Sequence, residues 1–145
     1  MATTTIDVEH LFTLSLAVGD TTNALIRNGP AGTRFVAAVP GGTFAGERLR
    51  GTVVGPSGDW VSIRPNRTSK LDVRLLLVTD DGESILMSYQ GILRPGDGES
   101  QVRSAPTFET GSETYAWLND IQAIGIGRSV PGAVDYEVYA LPFDG

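Results

Sequence analysis

The chain has 145 residues, of which 11 are Lys or Arg and 17 are Asp or Glu, giving a formal net charge of −6 at pH 7. This acidic balance argues against nucleic acid as a partner, because phosphate binding needs a basic face. Cysteine is absent, which excludes disulfide bonds and thiolate chemistry.

The length of the chain and its N-terminal sequence limit the number of domains and the cellular location. A chain of this size fits one domain, residues 1–145, and residues 1–8 are predicted to be a flexible leader. The N-terminal MATTTIDVEH lacks the basic and apolar regions of a signal peptide, and no apolar run is long enough to span a bilayer. We therefore expect a cytoplasmic protein with no membrane partner. A homodimer is compatible with this composition, although no feature of the sequence requires one.

Short alternating segments separated by turn residues indicate an all-β protein. The 18 glycines and 8 prolines are spread along the chain, and no segment shows a helical period. Several segments are apolar on both faces, which favours a single small antiparallel β-barrel with little helix. The predicted strands in chain order are His10–Val18, Thr22–Arg27, Thr33–Val39, Arg48–Val54, Asp59–Arg64, Leu71–Val78, Ser84–Leu93, Glu113–Asp120, Gln122–Arg128 and Val134–Leu141.

Glycine and proline also predict where the strands are interrupted. Gly55-Pro56-Ser57-Gly58 is predicted to be a turn between two strands. Gly51, in the middle of a predicted strand, indicates a bulge or a close approach of two backbones. Residues 101–113 are the least regular and are predicted to form a loop beside the mouth of a pocket.

A charged cluster lies next to one of the turns. In Leu71–Val78 one face is wholly apolar, whereas the other carries Asp72 and Arg74 before it becomes apolar. Arg64 ends the preceding strand, so pairing of the two strands would bring it towards these groups. We expect the three side chains to lie in the barrel pocket, where a carboxylate between two guanidinium groups stays ionised. The alternative is a solvent-exposed ion pair of small energetic value.

Aromatic and amide side chains are predicted to complete the pocket. Tyr115, Trp117 and Asn119 share one face of their predicted strand, which would combine aromatic surface with polar tips. Trp60 shares a face with Arg64, and Tyr89 shares a face with Ile85 and Met87 on its own strand. The alternative is that Tyr115 and Trp117 are core aromatics.

Metal and cofactor chemistry find little support in the sequence. His10 is the only histidine, which excludes a His-rich metal site and any Ser–His–Asp triad that does not use it. The acidic residues at 80, 81 and 83 lack the ligand spacing of a calcium loop. We therefore expect neither a metal nor an organic cofactor.

Six segments in this order resemble a known family of small bacterial and fungal proteins, the domain-of-unknown-function three-two-three-seven family. They are GGTFAGERLRG (41–51), DWVSIRP (59–65), LDVR (71–74), TDDG (79–82), FETG (108–111) and YAWLN (115–119). The resemblance covers about residues 10–140. It implies a barrel similar to the lipocalin-like and allene oxide cyclase-like barrels. Some fungal relatives resemble cofactor-free isomerases or cyclases of phenolic natural products. The family's motif positions fall on Trp60, Arg64, Asp72, Arg74, Tyr115, Trp117 and Asn119.

These observations predict a protein that takes a small molecule into its barrel. The first hypothesis is a cofactor-independent isomerase, cyclase or lyase that acts by acid–base chemistry on a small apolar, aromatic or phenolic molecule. In it Asp72 is a base or orients Arg74, Arg64 and Arg74 stabilise a phenolate or enolate, and Tyr115 donates a proton. Trp60, Trp117, Asn119 and Tyr89 would bind the substrate. The second hypothesis is a non-catalytic barrel that binds a hydrophobic ligand, and the third is a barrel filled by its own side chains.

Overall fold

The computed structural model describes residues 1–19 and 25–144, and within them the chain forms eleven β-strands and one 3₁₀ helix, Ala116–Asp120. No helix in these ranges has the length and hydropathy to cross a membrane. The strands are β1 Glu9–Ala17, β2 Leu25–Gly29, β3 Gly32–Ala38, β4 Gly41–Ala45, β5 Arg50–Ile63, β6 Ser69–Thr79, β7 Ser84–Arg94, β8 Ser100–Ser104, β9 Thr107–Glu109, β10 Gln122–Val130 and β11 Ala133–Leu141.

The strands close into the antiparallel barrel that the sequence predicts. The circuit runs β5, β4, β1, β11, β10, β8, β7, β6 and returns to β5, which makes eight strands. β4 pairs with the first half of β5 and β3 with the second half, while β2 pairs with β3 and β9 pairs with β7. Closure satisfies the backbone hydrogen bonds of both edges, which an open sheet would leave unpaired.

β5 is one continuous strand, where the sequence predicts two strands joined by a turn at residues 55–58. Its register with β6 shifts between Val54 and Gly58, so the segment is a β-bulge rather than a reversal. The Ser57 hydroxyl closes the bulge, because Oγ donates to the carbonyl of Val54 at 2.6 Å and accepts from the amide of Leu76 at 2.9 Å. The turn prediction is wrong because these bonds let the strand bend and continue.

Two other predicted segments differ from the structure. The predicted strand Glu113–Asp120 is instead the 3₁₀ helix with its preceding turn, and the predicted loop 101–113 contains β8 and β9. In the predicted strand Thr22–Arg27, residues 22–24 lie outside the described ranges, and β2 begins at Leu25. The strand predicted at His10–Val18 is confirmed as β1, and its apolar face from Phe12 to Leu16 is buried.

The barrel is filled at one end and hollow at the other. The closed end, where β6 ends and β7 begins, holds a fully buried cluster that includes Phe12, Phe44 and Leu75. The rings of Phe12 and Phe44 lie 5.5 Å apart between centroids, and Leu118 of the 3₁₀ helix is also fully buried. The open end, where β6 begins and β7 ends, carries the cavity described below. Packing of the closed end therefore supports a hollow open end.

Gly51 of β5 confirms the close backbone approach that the sequence predicts. A Cβ at this position would collide with the carbonyl oxygen of Val78, and would lie 2.8 Å from Cα of Thr79 and 2.9 Å from the Phe44 ring. Two of these neighbours are backbone atoms of the paired strand β6, which cannot move without disturbing the ladder.

We expect Gly51→Ala to lower the free energy of unfolding by about 2 kcal/mol, the typical cost of forced overpacking. The matched control is Gly111→Ala, because no atom lies within 4 Å of its added Cβ. That change should be neutral or slightly stabilising through the unfolded state. Urea denaturation of the three proteins measures both effects, and equal stability of the two variants would contradict the close approach at Gly51.

Candidate functional site

The open end of the barrel encloses a cavity of about 130 Å³. Most of its wall is apolar, with contributions from Leu16, Phe35, Val61, Leu71 and Val134. The polar groups in the wall are the carboxyl of Asp59, the phenols of Tyr89 and Tyr136, and the hydroxyls of Ser69 and Ser129. Within the described residues, the wall contains one carboxyl group and no Arg, Lys or His. An apolar cavity with a few convergent polar groups is typical of a small-molecule site.

Asp59 points into this cavity because of the bulge that precedes it. After the register shift, Asp59 pairs with Val73 of β6, whose side chain is buried in the interior. The amide of Asp72, one residue earlier on β6, donates to Oδ1 of Asp59 at 3.0 Å. The carboxyl group therefore takes a backbone hydrogen bond from the wall and is fixed in orientation.

The position of Asp59 in the wall also changes the pKa of its carboxyl group. Burial in the apolar wall raises its pKa from 3.8 to about 6, with a small further rise from the charge of Asp72. The hydrogen bond from the Asp72 amide lowers the pKa and only partly offsets the burial. A carboxyl with a pKa near neutrality can both give and take a proton, which is the property of a general acid–base group.

Tyr89 and Tyr136 lie on the same wall. Tyr89 is on β7 and pairs with Val73, so it stands on the same level of the barrel as Asp59. The two tyrosine rings meet edge to face, with centroids 5.4 Å apart and planes inclined by 71°. Burial raises the pKa of both phenols, and the charge of Asp59 raises each further. Both phenols therefore stay protonated and serve as hydrogen-bond groups rather than as bases.

A glycine on the neighbouring strand positions Tyr136. Gly127 of β10 pairs with Tyr136 of β11, and the tyrosine ring lies across it. An added Cβ at Gly127 would lie 2.6 Å from two ring carbons of Tyr136. Only a residue without a side chain leaves room for this ring position, so Gly127 sets where the phenol points.

The predicted placement of Arg64, Asp72 and Arg74 in the pocket is wrong. Arg64 and Arg74 are exposed, and Asp72 lies on the same outer face of β6 as Arg74. The predicted alternation is present in β6, but its wholly apolar face is the one that fills the barrel. Arg64 starts the turn to β6, with its amide bonded to the carbonyl of Thr68. These three side chains therefore lie on the surface, as in the alternative interpretation, but no ion pair joins them within the described residues.

Trp60 is also outside the pocket. It follows the inward Asp59 on β5, so the alternation turns it outward, and it is 45% exposed. It pairs with Val36 of β3 and lies beside Ile26 of β2 in a shallow groove on the outer face. The predicted contact of Trp60 with a ligand in the barrel is therefore wrong.

Tyr115, Trp117 and Asn119 gather at the closed end rather than around the cavity. The Tyr115 hydroxyl donates to a carboxylate oxygen of Asp81 at 2.9 Å. The Arg48 guanidinium lies 3.6 Å above the Trp117 ring. Because these residues belong to a 3₁₀ helix and its preceding turn, they do not share one strand face, and their predicted place in the pocket is wrong.

Asn119 has a structural task at the closed end. Its side-chain amide accepts from the amide of Thr110 at 2.8 Å and donates to the carbonyl of Thr110 at 3.0 Å. The Thr110 hydroxyl in turn donates to the carbonyl of Ser84 at 2.7 Å. This chain of bonds ties the 3₁₀ helix to the start of β7.

Of the eight predicted site residues, Tyr89 is the one that lines the cavity. Asp59 and Tyr136 were missed. The available signal for Asp59 is that it shares a strand face with the apolar Val61, but the turn predicted just before it hides this signal. Tyr136 lies in the predicted strand Val134–Leu141. The available signal for it is the pair Gly125 and Gly127 in the preceding predicted strand, which leaves room for a large ring on the paired strand. Within residues 1–19 and 25–144, no group of three His, Asp or Glu side chains could hold a metal ion.

Comparison with known proteins gives the family. A sequence model described as "Protein of unknown function (DUF3237)" matches residues 6–141, which is nearly the whole chain. The chain belongs to the DUF3237 family. Among its relatives is a UPF0311 protein of Rhodopseudomonas palustris, which is 30% identical over 139 residues that cover 85% of this chain and 88% of that protein. The family resemblance predicted from the six sequence segments is confirmed.

Solved structures of similar proteins have the same barrel. A β-barrel-like protein from Acinetobacter baumannii superposes with a TM-score of 0.83 at 26% identity, covering 97% of this chain and 99% of that chain. The Rhodopseudomonas palustris protein of unknown function superposes with a TM-score of 0.86 at 26% identity, covering 95% of this chain and 99% of that chain.

One relative of this DUF3237 chain carries an activity in its name. The "Hydroalkoxylation enzyme phnH" of Penicillium herquei is 30% identical over 120 residues, which cover 82% of this chain and 72% of that protein. A homologue of the chain is thus an enzyme, which makes a catalytic role available to this barrel.

The raised pKa of Asp59 makes stability depend on pH. The folded state holds the proton more tightly than the unfolded state, so the stabilisation is fully present below pH about 4 and is lost as pH rises through about 6. Asn cannot ionise and keeps an oxygen for the Asp72 amide. We expect the unfolding free energy of Asp59→Asn, minus that of wild type, to rise by about 2 kcal/mol between pH about 4 and pH about 8.

Urea denaturation of both proteins across this range measures that difference. Subtraction removes the titration of carboxyl groups elsewhere in the chain, because the two proteins share them. A difference that stays constant with pH would show that Asp59 is not desolvated in the folded state.

Proposed function

We propose that this protein is a cofactor-independent enzyme that adds a hydroxyl group across a carbon–carbon double bond within one small apolar molecule, closing a ring. A phenol or alcohol that carries an alkenyl group is the substrate class. The observation that supports this most strongly is the fixed carboxyl of Asp59, whose pKa is raised to about 6, in the wall of an apolar cavity.

The proposed reaction needs one proton-transfer group and no other reagent. The O–H bond and the π bond of the substrate break, and a C–O bond and a C–H bond form. Asp59 gives a proton to one alkene carbon, and its carboxylate then receives the proton that leaves the hydroxyl oxygen. All atoms of the substrate are retained, so the reaction is an isomerisation by cyclisation.

Tyr89 and Tyr136 are proposed to orient the substrate. Both phenols remain protonated, so each can donate a hydrogen bond to the substrate oxygen or accept one from the Asp59 carboxyl. Their edge-to-face contact restricts both rings, and restricted rings hold a substrate in a reactive pose at small entropic cost. The apolar wall excludes water, which would otherwise compete with the substrate hydroxyl.

The name of one relative supports the same reaction class. Hydroalkoxylation is the addition of an O–H bond across a double bond, and its intramolecular form closes an oxygen ring without a cofactor. The homologue from Penicillium herquei carries this activity in its name. The proposal keeps the acid–base isomerase or cyclase class of the sequence-based hypothesis and puts Asp59 in place of Asp72, Arg74, Arg64 and Tyr115.

The alternative is a barrel that binds an apolar ligand without changing it. It is favoured by the predominance of aliphatic side chains such as Leu16, Leu71 and Val134 in the cavity wall. The two functions differ in whether a proton reaches a carbon atom of the bound molecule.

Deuterium incorporation tests the proposal directly. The purified protein is incubated in D₂O with a panel of phenols and alcohols that carry alkenyl groups, and products are separated by chromatography and examined by mass spectrometry. The expected product is an isomer of the substrate that carries one carbon-bound deuterium, because the added proton comes from solvent through Asp59.

Three variants sharpen the result. Asp59→Asn is expected to lower the rate by at least about 100-fold, the usual contribution of a general acid–base group. Tyr136→Phe keeps the ring and should cost less than Asp59→Asn. Asp120→Asn is the matched control, because this carboxyl is exposed at the end of the 3₁₀ helix. Ligand binding by all four proteins without deuterium uptake would support the carrier function, and full activity of Asp59→Asn would refute the role of Asp59.

A further inference from the structure

We propose that the cavity stabilises positive charge: its substrate is uncharged in the ground state and becomes cationic as it reacts, and the same cavity binds small protonated amines. The statement about the reaction rests on the proposed function, whereas the statement about amine binding stands without it. The barrel fold alone implies neither a cationic reaction path nor amine binding, because the charge of a barrel interior depends on its individual side chains.

The charged groups of the wall have one sign. Among the described residues that line the cavity, Asp59 is the one group that carries charge when ionised, and none carries positive charge. Arg64 and Arg74, which the sequence analysis expected inside, are exposed on the outer surface. A bound carboxylate or phenolate would meet the carboxyl of Asp59 and no cation, so anions are disfavoured.

Aromatic side chains surround the carboxyl group of Asp59. Facing Asp59 from the other strands are Tyr89 on β7 and Tyr136 on β11, with Phe35 of β3 also in the wall. Aromatic faces attract cations, and the attraction grows when the cation is removed from water. An ammonium group beside Asp59 would thus gain an ion pair and contact with aromatic rings.

A backbone amide, rather than a cation, holds the carboxyl group of Asp59. One oxygen of Asp59 accepts from the backbone amide of Asp72 at 3.0 Å, and this bond fixes the group without neutralising it. The nearby Asp72 side chain is itself an acid on the outer face of β6. No built-in cation therefore competes with a ligand for Asp59 within the described part of the chain, and a bound ammonium group would supply the missing partner.

The size of the cavity limits what can enter. Its volume of about 130 Å³ is close to the roughly 150 Å³ of an apolar cavity that accepts benzene. The cavity therefore takes one six-membered ring or an alkenyl group of similar volume, and a larger substrate extends through the open end.

The charge of the cavity wall sets the order of steps in the proposed cyclisation. Transfer of the proton from Asp59 to carbon places positive charge on the neighbouring carbon and leaves a carboxylate beside it. The substrate hydroxyl oxygen then forms the C–O bond, and its proton returns to the carboxylate. A route that begins with a phenolate or enolate would develop negative charge in a cavity whose described wall residues include no cation. Acid-first addition to an electron-rich double bond is therefore favoured.

A set of three ligands with one ring and different charge tests the inference. Benzylamine is the cation, benzyl alcohol the neutral molecule and benzoate the anion, and binding is measured at pH about 7.5 by calorimetry and by NMR shifts of cavity residues. We expect benzylamine to bind at least about tenfold more tightly than benzyl alcohol, and benzoate not to bind. The shifts should be confined to residues of the cavity wall, such as Leu16 and Val134.

The Asp59→Asn variant assigns the preference to its cause. We expect it to bind benzylamine no better than benzyl alcohol, while Asp120→Asn retains the preference of wild type. A second measurement needs no variant: the affinity ratio in the wild-type protein should fall as pH is lowered through about 6, because protonated Asp59 has no charge. Asp72, Tyr89 and Tyr136 face or adjoin Asp59, and of these the phenols stay neutral at such pH values.

The outcomes separate this inference from the proposed function. Benzoate binding as tight as benzylamine binding, or a benzylamine preference that survives in Asp59→Asn, would overturn it even if deuterium uptake proves the cyclisation. Amine preference that depends on Asp59, in a protein that transfers no deuterium, would support the binding statement and refute the enzyme.

Discussion

The bend in β5 is the constraint on which the barrel and its cavity depend. The strand must pair with β4 along its first half and with β3 along its second half while keeping β6 on its other side. Ser57 makes this possible, because its hydroxyl serves the carbonyl of Val54 and the amide of Leu76 within the bulge. The register after the bulge turns Asp59 inward and Trp60 outward. One local rearrangement thus closes the barrel and supplies its only interior carboxyl group among the described residues.

Side-chain volume explains why the cavity lies at one end. At the closed end Phe12, Phe44 and Phe108 meet, with the centroids of Phe12 and Phe108 6.0 Å apart, and the 3₁₀ helix adds Leu118. At the open end the wall includes small groups, such as Ala37 and Ser69. The packed end supplies the apolar burial that stabilises the fold, which allows the other end to remain hollow. The residues that stabilise the fold and the residues that line the cavity therefore lie at opposite ends of the barrel.

The sequence was sufficient for the fold class, and much of the strand pattern, because period-two alternation reports burial directly. It was sufficient to place Tyr89 in the interior for the same reason, since that residue follows Ile85 and Met87 on one buried face of β7.

The sequence was not sufficient to place Asp72 and Arg74, because alternation separates two faces without saying which one is interior. It also failed for Asp59, whose direction depends on a bulge closed by a serine hydroxyl 19 residues distant from its partner Leu76. Tyr115 and Asn119 were misplaced because five residues of mixed polarity satisfy a strand and a 3₁₀ helix equally well.

The cost of the carboxyl group argues for a function at the open end. Burial of Asp59 raises its pKa to about 6, which means that the ionised group is destabilising in the folded protein at neutral pH. The backbone amide of Asp72 offsets part of this cost, yet a neutral asparagine could accept the same hydrogen bond without any charge penalty. Fold stability therefore gives no reason for an acid at this position. Proton transfer and attraction of positive charge are two properties that the acid has and the amide lacks, and both act on a molecule held in the cavity.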